Sequence, residues 1–296
     1  MTQSHAGLRE DVIKGSAQPR PSLPIEPLIR IRPGRRSPLA DIREIWDRRE
    51  LVLMLTWRDL KVRYKQTLLG VSWAILQPLM MTIVFVAFFS VIVRIPSDGA
   101  PYPLFAYSGL LVWVFFSQTI SAGTQSLSSH GQLLNKVYFP RLVLPLTNVL
   151  VRLTDLAAAS IFLVALMAYY RIHIGFGLLL VPVLLIQLSI FALAFSAWLA
   201  AIHLKYRDIG SLLPVLLQAW MFASPVVYPA DLIPDAWRPY YLLNPVAGIL
   251  ENLRAVITDA PIQMGLFATT SVTITVISLA MLWAYYRSSA DMADIF

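Results

Sequence analysis

The 296-residue chain contains no cysteine, which excludes a disulfide framework, a thiolate nucleophile and any cysteine-bound metal. Charge is scarce as well. Only 14% of residues are Asp, Glu, Lys or Arg, against roughly a quarter in ordinary globular domains. With 57% hydrophobic residues, that balance excludes a soluble two-domain protein and leaves an integral membrane protein. The common catalytic signatures are also missing. There is no G-x-x-x-x-G-K-[ST] to cradle ATP phosphates, no H-E-x-x-H and no G-x-S-x-G. His5, His130, His173 and His203 are scattered without metal-ligand spacing, so no metal site is expected. The chain is not expected to be an enzyme by itself. Residues 1–37 lack an apolar h-region, so no cleaved signal peptide is expected.

What charge there is lies mostly at the start. From Met1 to Lys65 there are 14 Lys/Arg and 8 Asp/Glu, which places +6 of the net +7 before the first long apolar run. Beside a membrane span, such a cluster reads as an orientation signal with affinity for anionic lipid, not as a nucleic-acid surface. Residues 1–37 are polar and interrupted by Pro19, Pro21, Pro24, Pro27 and Pro33, which predicts a flexible basic cytoplasmic tail. Residues 38–66 read as an amphipathic interfacial helix. Ser37-Pro38 is a helix start, and Ile42, Trp46, Leu53, Trp57, Leu60 and Tyr64 recur at helical spacing. A soluble helix packed on a partner is the competing reading of that stretch.

After Lys65 no charge appears until Arg94. The 28 residues from Gln66 to Val93 would make about 42 Å of helix, enough to cross a bilayer core of about 30 Å with tilt. Later apolar runs, charge-free except for Arg152 and Asp155, place five more spans: from about Leu104 to Gly123, from Val143 to Tyr170, from Ile172 to Leu204, between Asp208 and Asp231, and between Asp259 and Arg287. The expected fold is an all-α integral membrane protein. It has the interfacial helix, six transmembrane helices over residues 67–290, and two short outer-face helices within about 229–260. Both termini are expected to be cytoplasmic, because Lys136, Arg141, Lys205, Arg207 and Arg287 then fall inside.

Three features inside the spans carry chemistry. Ser117, Ser121, Thr124 and Ser128 share one helical face, suited to close helix packing or to a polar cargo. Arg152 and Asp155 sit three apart in the third apolar segment. A lone charge there costs at least ~2.5 kcal/mol, so they are expected to pair, either as a structural lock or as part of a gate. Aromatic residues are frequent: Trp73, Phe85, Phe88 and Phe89 in the first span, Trp113, Phe115 and Phe116 in the second, Trp220 and Phe222 in the fifth. Trp73, Phe85, Phe88, Phe89, Trp113, Phe116, Trp220 and Phe222 are candidates to line a channel for sugars. Belt or core packing competes for each of them. One six-span subunit is thin for such a channel, so a homodimer is expected.

The order of several motifs resembles a known family. Arg58-Asp59-Leu60-Lys61-Val62-Arg63-Tyr64-Lys65 is followed by Leu69-Gly70, Trp73 and Pro78. Lys205-Tyr206-Arg207-Asp208-Ile209, Ser224-Pro225-Val226-Val227-Tyr228 and Leu243-Asn244-Pro245-Val246 come after it. This pattern is similar to the permease subunits of polysaccharide-exporting type-2 ABC transporters, which export O-antigen, capsule or teichoic acid. It covers roughly Asp41 to Arg287 and leaves out the first 37 residues. The resemblance implies a bacterial inner-membrane homodimer working with two copies of an ABC ATPase, which binds the ATP and Mg. It implies an undecaprenyl-pyrophosphate-linked glycan as cargo, with membrane lipids and no nucleic acid as further partners. It also implies a coupling loop at about 128–141, where Leu133, Leu134, Lys136, Val137 and Phe139 would dock on the ATPase. Arg58, Lys61, Arg63 and Lys65 are candidates to attract the carrier pyrophosphate. Exporters of drugs or small lipids and membrane enzymes of glycan assembly are the rival classes.

Overall fold

Helix starts and stops follow from where charge, proline and glycine fall along the apolar runs. The computed structural model describes residues 38–65, 67–93, 101–131, 139–173, 175–234 and 236–289. Among them the chain is helical: α1 (Pro38–Asp47), α2 (Arg49–Lys65), α3 (Ser72–Phe85), α4 (Tyr102–Ser129), α5 (Val143–Tyr169), α6 (Val181–Lys205), α7 (Ile209–Phe222), α8 (Arg238–Leu242), α9 (Pro245–Ile257) and α10 (Met264–Ser289). The interfacial stretch is two helices, not one. Asp47-Arg48-Arg49 puts three charges in a row, the apolar stripe lapses, and the chain turns at Arg48. In α2, Val52 and Leu55 are buried, while Leu53, Met54 and Trp57 are largely exposed. The helix thus grips the bundle along one edge and offers a second apolar edge to lipid.

The first span is shorter than the uncharged run. Gly70 has φ of 52°, a conformation side chains other than glycine rarely adopt, and it turns the chain between α2 and α3. Helix begins at Ser72 and passes from α-helix to a π-helical stretch, Val86–Val93. Those 22 residues give about 33 Å, close to the thickness of a bilayer core. Pro78 lies inside α3, and Thr82 Oγ1 donates to its carbonyl at 2.8 Å.

Among the described residues, five helices are long and apolar enough to span a membrane, and α7 is too short. Its 14 residues reach only about 21 Å, because Ser224-Pro225 ends it early. The fifth span expected between Asp208 and Asp231 is therefore a short apolar helix followed by the turn 223–228. α4 is the central post: 78% of its apolar window is buried within the subunit, against 11% for α3 and 17% for α10. α4 packs on α6 closely, since a Cβ on Gly123 would lie 2.6 Å from Ser196 Cβ. Two hydroxyls of α4 bond back to their own helix, Thr119 to Phe115 O at 2.6 Å and Ser126 to Gly123 O at 2.6 Å, while Thr124 Oγ1 is buried without a hydrogen-bond partner among the described residues. Thr119, Thr124 and Ser126 are buried, so much of this polar stretch serves packing.

The two short helices expected between the fifth and sixth spans are α8 and α9, and α9 is buried. Its residues Val246, Ala247, Ile249, Leu250 and Leu253 are all at most 5% exposed. It is a core element packed among α4, α6 and α10. Gly248 permits the approach to α10, where a Cβ would lie 2.1 Å from Thr270 Oγ1.

Candidate functional site

Two polar networks stand out, one at each end of the bundle. The first lies where α2 meets α5. Asp155, three residues after Arg152 on α5, accepts from Arg152 at 3.3 Å and from Arg63 of α2 at 3.0 Å. The Tyr64 hydroxyl donates to the same carboxylate. Side-chain exposure is 13% for Asp155, 15% for Arg152 and 33% for Arg63, so the cluster faces protein, not lipid. Arg152 also donates to Gln118 of α4, and Gln118 donates to Gln77 of α3 at 2.7 Å. One relay of side chains thereby joins the interfacial helix to three spans. It holds two cations and one anion. Burial, then the hydrogen bond to Asp155, pushes the Tyr64 phenol up to about 12, so it stays protonated and donating.

The basic collar divides around this relay. Arg63 points inward to Asp155. Arg58 is held by Asp59 at 2.8 Å and by His130 Nε2 at 2.9 Å, while His130 Nδ1 donates to Ser126 O at 3.0 Å. Lys61 lies over the Trp57 ring at 5.3 Å, and Lys65 is exposed. The structure brings only Arg63 of the four collar residues together with Arg152 and Asp155.

The second network ties two of the sequence motifs to each other. Asn244 Oδ1 accepts from Val246 N at 3.1 Å, capping α9, and from Trp220 Nε1 at 3.1 Å. Asn244 Nδ2 donates to Ser224 Oγ at 2.8 Å. Arg254 on α9 donates to the carbonyls of Pro225 and Val226, and its guanidinium sits 3.5 Å from the Phe105 ring centroid. The turn 223–228 leaves carbonyls without helical partners, and Arg254 supplies the donors. Charge counting places Arg254 among loop residues. Only its i, i+3 offset from Glu251 inside a short amphipathic stretch hints otherwise. Asn244→Leu is expected to destabilise the subunit by about 2 kcal/mol, from one lost cap and two unpaired polar groups. A thermal melt of the purified protein in detergent checks this, and an unchanged midpoint would show the network to be dispensable.

The family description ABC-2 type transporter matches residues 50–258. The chain belongs to that family. Among curated proteins it is similar to the O-antigen export system permease protein RfbA of Myxococcus xanthus. Identity there is 35% over 253 residues, covering 82% of this chain and 92% of that protein. It is 25% identical over 236 residues to RfbA of Klebsiella pneumoniae, covering 78% of this chain and 90% of that protein. It is also 25% identical over 242 residues to the polysialic acid transport protein KpsM of Escherichia coli, covering 79% and 91%. These relatives are named permease or transport proteins. Among the described residues, no group of three His, Cys, Asp or Glu could hold a metal.

In this ABC-2 subunit the expected ATPase contacts are not equivalent. Leu133, Leu134, Lys136 and Val137 lie outside the described residues. Phe139 is described, and it is 4% exposed. It packs with Val52 and Leu55 of α2, Leu127 of α4, and Leu142 and Val143. Phe139 is thus placed in the core cluster that joins α2 to the bundle. Two of the channel-lining candidates are placed in the same way. Trp113 and Phe116 are 5% and 0% exposed. Phe116 stacks on Phe191 at 5.4 Å and meets Trp220 edge-on at 5.3 Å, which makes this cluster core. Trp73, Phe88 and Phe222 keep about half their surface free, and Phe85 and Phe89 stack at 5.8 Å half-buried.

Proposed function

We propose that this ABC-2 subunit is the membrane-spanning half of an ATP-driven exporter that moves lipid-linked polysaccharide, O-antigen first among the candidates, across the bacterial inner membrane. Two copies form the translocation path and work with two copies of a separate ATPase that binds ATP and Mg. Both termini lie in the cytoplasm, and the cargo is a glycan on undecaprenyl pyrophosphate. The observation that carries this reading is the 35% identity spanning 92% of an O-antigen export permease. The weakly buried α3 supports the dimer, since an apolar span with 11% of its window covered is available to a second copy. Capsule export is the second reading, favoured by the KpsM likeness. Deleting the gene should remove the surface glycan and leave its lipid-linked form inside the cell. Loss of capsule with intact O-antigen would select the second reading, and an unchanged surface would sink both.

At the cytoplasmic end, Arg63 and Arg152 are the groups proposed to recognise the carrier pyrophosphate, while Lys61 and Lys65 attract anionic lipid at ~1 kcal/mol each. Arginine suits the first task, because its planar fork matches phosphate oxygens. At equal membrane levels, Arg63→Lys should lower surface glycan by about tenfold or more, as expected for a desolvated charge contact. Lys61→Gln and Lys65→Gln should stay within about twofold of wild type. Equal, mild losses at all three positions would leave only a lipid anchor.

A further inference from the structure

Resting on that reading of the collar, we propose that Asp155 is an internal stand-in for a polyprenyl diphosphate headgroup. It occupies Arg63 and Arg152 until the headgroup takes its place, and the exchange unlatches the C-terminal part of α2 from α5. The relay has the composition such an exchange needs. Two guanidinium groups and one phenol converge on a single carboxylate. Carboxylate and phosphate present the same kind of oxygen acceptors, and arginine recognises both. One carboxylate leaves the pair of arginines with an excess of one positive charge. A diphosphate brings at least two negative charges and neutralises both. Asp155 then faces a like charge and loses its partners.

The attachments of α2 decide what that exchange moves. The earlier part of α2 is held by apolar contacts, with Val52 and Leu55 buried beside Phe139 and Leu142. Near its end, α2 is held to α5 by the two polar attachments from Arg63 and Tyr64 to Asp155. Exchange at Asp155 drops the Tyr64 attachment and moves Arg63 from a carboxylate fixed on α5 to a mobile headgroup, which loosens the second hold and leaves the first. Gly70, with its positive φ, lies five residues beyond Lys65 and provides a pivot before α3. Arg152 meanwhile stays bonded through Gln118 to Gln77, so arrival of the headgroup is felt on α3, α4 and α5 together. A ligand shifts such an equilibrium only by its differential affinity for the two states, and the released arginines provide that difference.

The absence of cysteine makes the test direct, because an introduced thiol is the chain's single one. Val62 is 66% exposed on α2, two residues from Tyr64, and a nitroxide on Val62→Cys reports the mobility of that turn. The full subunit is reconstituted with its ATPase in nanodiscs, and the probe is farnesyl diphosphate. The label should loosen with farnesyl diphosphate and stay fixed with farnesol or with added phosphatidylglycerol. Asp155→Asn, which keeps the size and one acceptor oxygen, should be loose without ligand. It should bind farnesyl diphosphate about tenfold tighter, because the competing charge is gone. Tyr64→Phe, which keeps every charge, should loosen the label partially and serves if Asp155→Asn does not fold. Binding without loosening, or an Asp155→Asn affinity equal to wild type, overturns the exchange and leaves headgroup recognition standing. Equal loosening by phosphatidylglycerol overturns the diphosphate as ligand. No binding by any form, with Arg63→Lys cells exporting normally, overturns the recognition reading itself.

Discussion

Arg254→Ala is expected to destabilise the protein by on the order of 3–5 kcal/mol. Alanine removes both donors from the carbonyls of Pro225 and Val226 and empties the space over the Phe105 ring. Each buried carbonyl left without a donor costs about 1–3 kcal/mol. Arg254→Lys should recover only part of the loss, because one ammonium on a flexible stem does not reproduce the fork that reaches two carbonyls. Gly109→Ala tests the same joint from α4. Its Cβ would lie 2.2 Å from Val226 O and 2.7 Å from Arg254 Nη2, so the turn must shift. Both changes should reduce the yield of folded protein and lower its melting midpoint in detergent. A midpoint equal to wild type for Arg254→Ala would mean that the turn 223–228 does not depend on this cation.

Phe139→Asp should abolish folding, not merely detach an ATPase. The side chain is 4% exposed among Val52, Leu55, Leu127 and Leu142, so an aspartate there is an unpaired buried charge. Phe139→Ala should cost about 3–5 kcal/mol through the cavity it leaves. The expected signature is loss of monodisperse subunit on gel filtration even when no ATPase is expressed. If Phe139→Asp purified normally alone and failed only to bind the ATPase, the aromatic would be a docking residue after all.

Much of the fold is legible because its signal is one-dimensional. A span in lipid must be long and mostly apolar, and the apolar run from Val143 to Tyr170, broken only by Arg152 and Asp155, and the uncharged run between Asp259 and Arg287 bracket α5 and α10 closely. The helical offset of Arg152 and Asp155 likewise sets them on one face, and the structure places them 3.3 Å apart. What resists is anything fixed by a second segment. Hydropathy does not tell a helix covered by lipid from one covered by protein, because both are apolar. α9 and the Trp113–Phe116 stretch therefore read as surface or channel candidates and turn out to be core. Arg63 and Tyr64 look like any other collar residues until α5 supplies Asp155, 92 and 91 positions later. Arg254 looks like a loop charge until the turn at Pro225 and Val226 presents its carbonyls. Gly70 was legible as part of a motif, but its positive φ, which shortens the first span, is a backbone fact that composition does not carry.

The central position of α4 also sets a timetable for biogenesis. α4 is complete at Ser129, but its partner α6 begins at Val181 and α9 at Pro245, 116 residues after Ser129. At ~5–20 residues per second, α9 emerges roughly ten seconds after α4 is made. For that interval, α4 has α3 and α5 beside it, while the side that α6 and α9 will cover has lipid or the insertion machinery for a neighbour. α9 and the turn before it reach their places only once α4 and α6 have formed the wall that receives them. The chain therefore lays down its innermost helix second and encloses it last, and errors in the final third of translation are felt at the centre of the bundle.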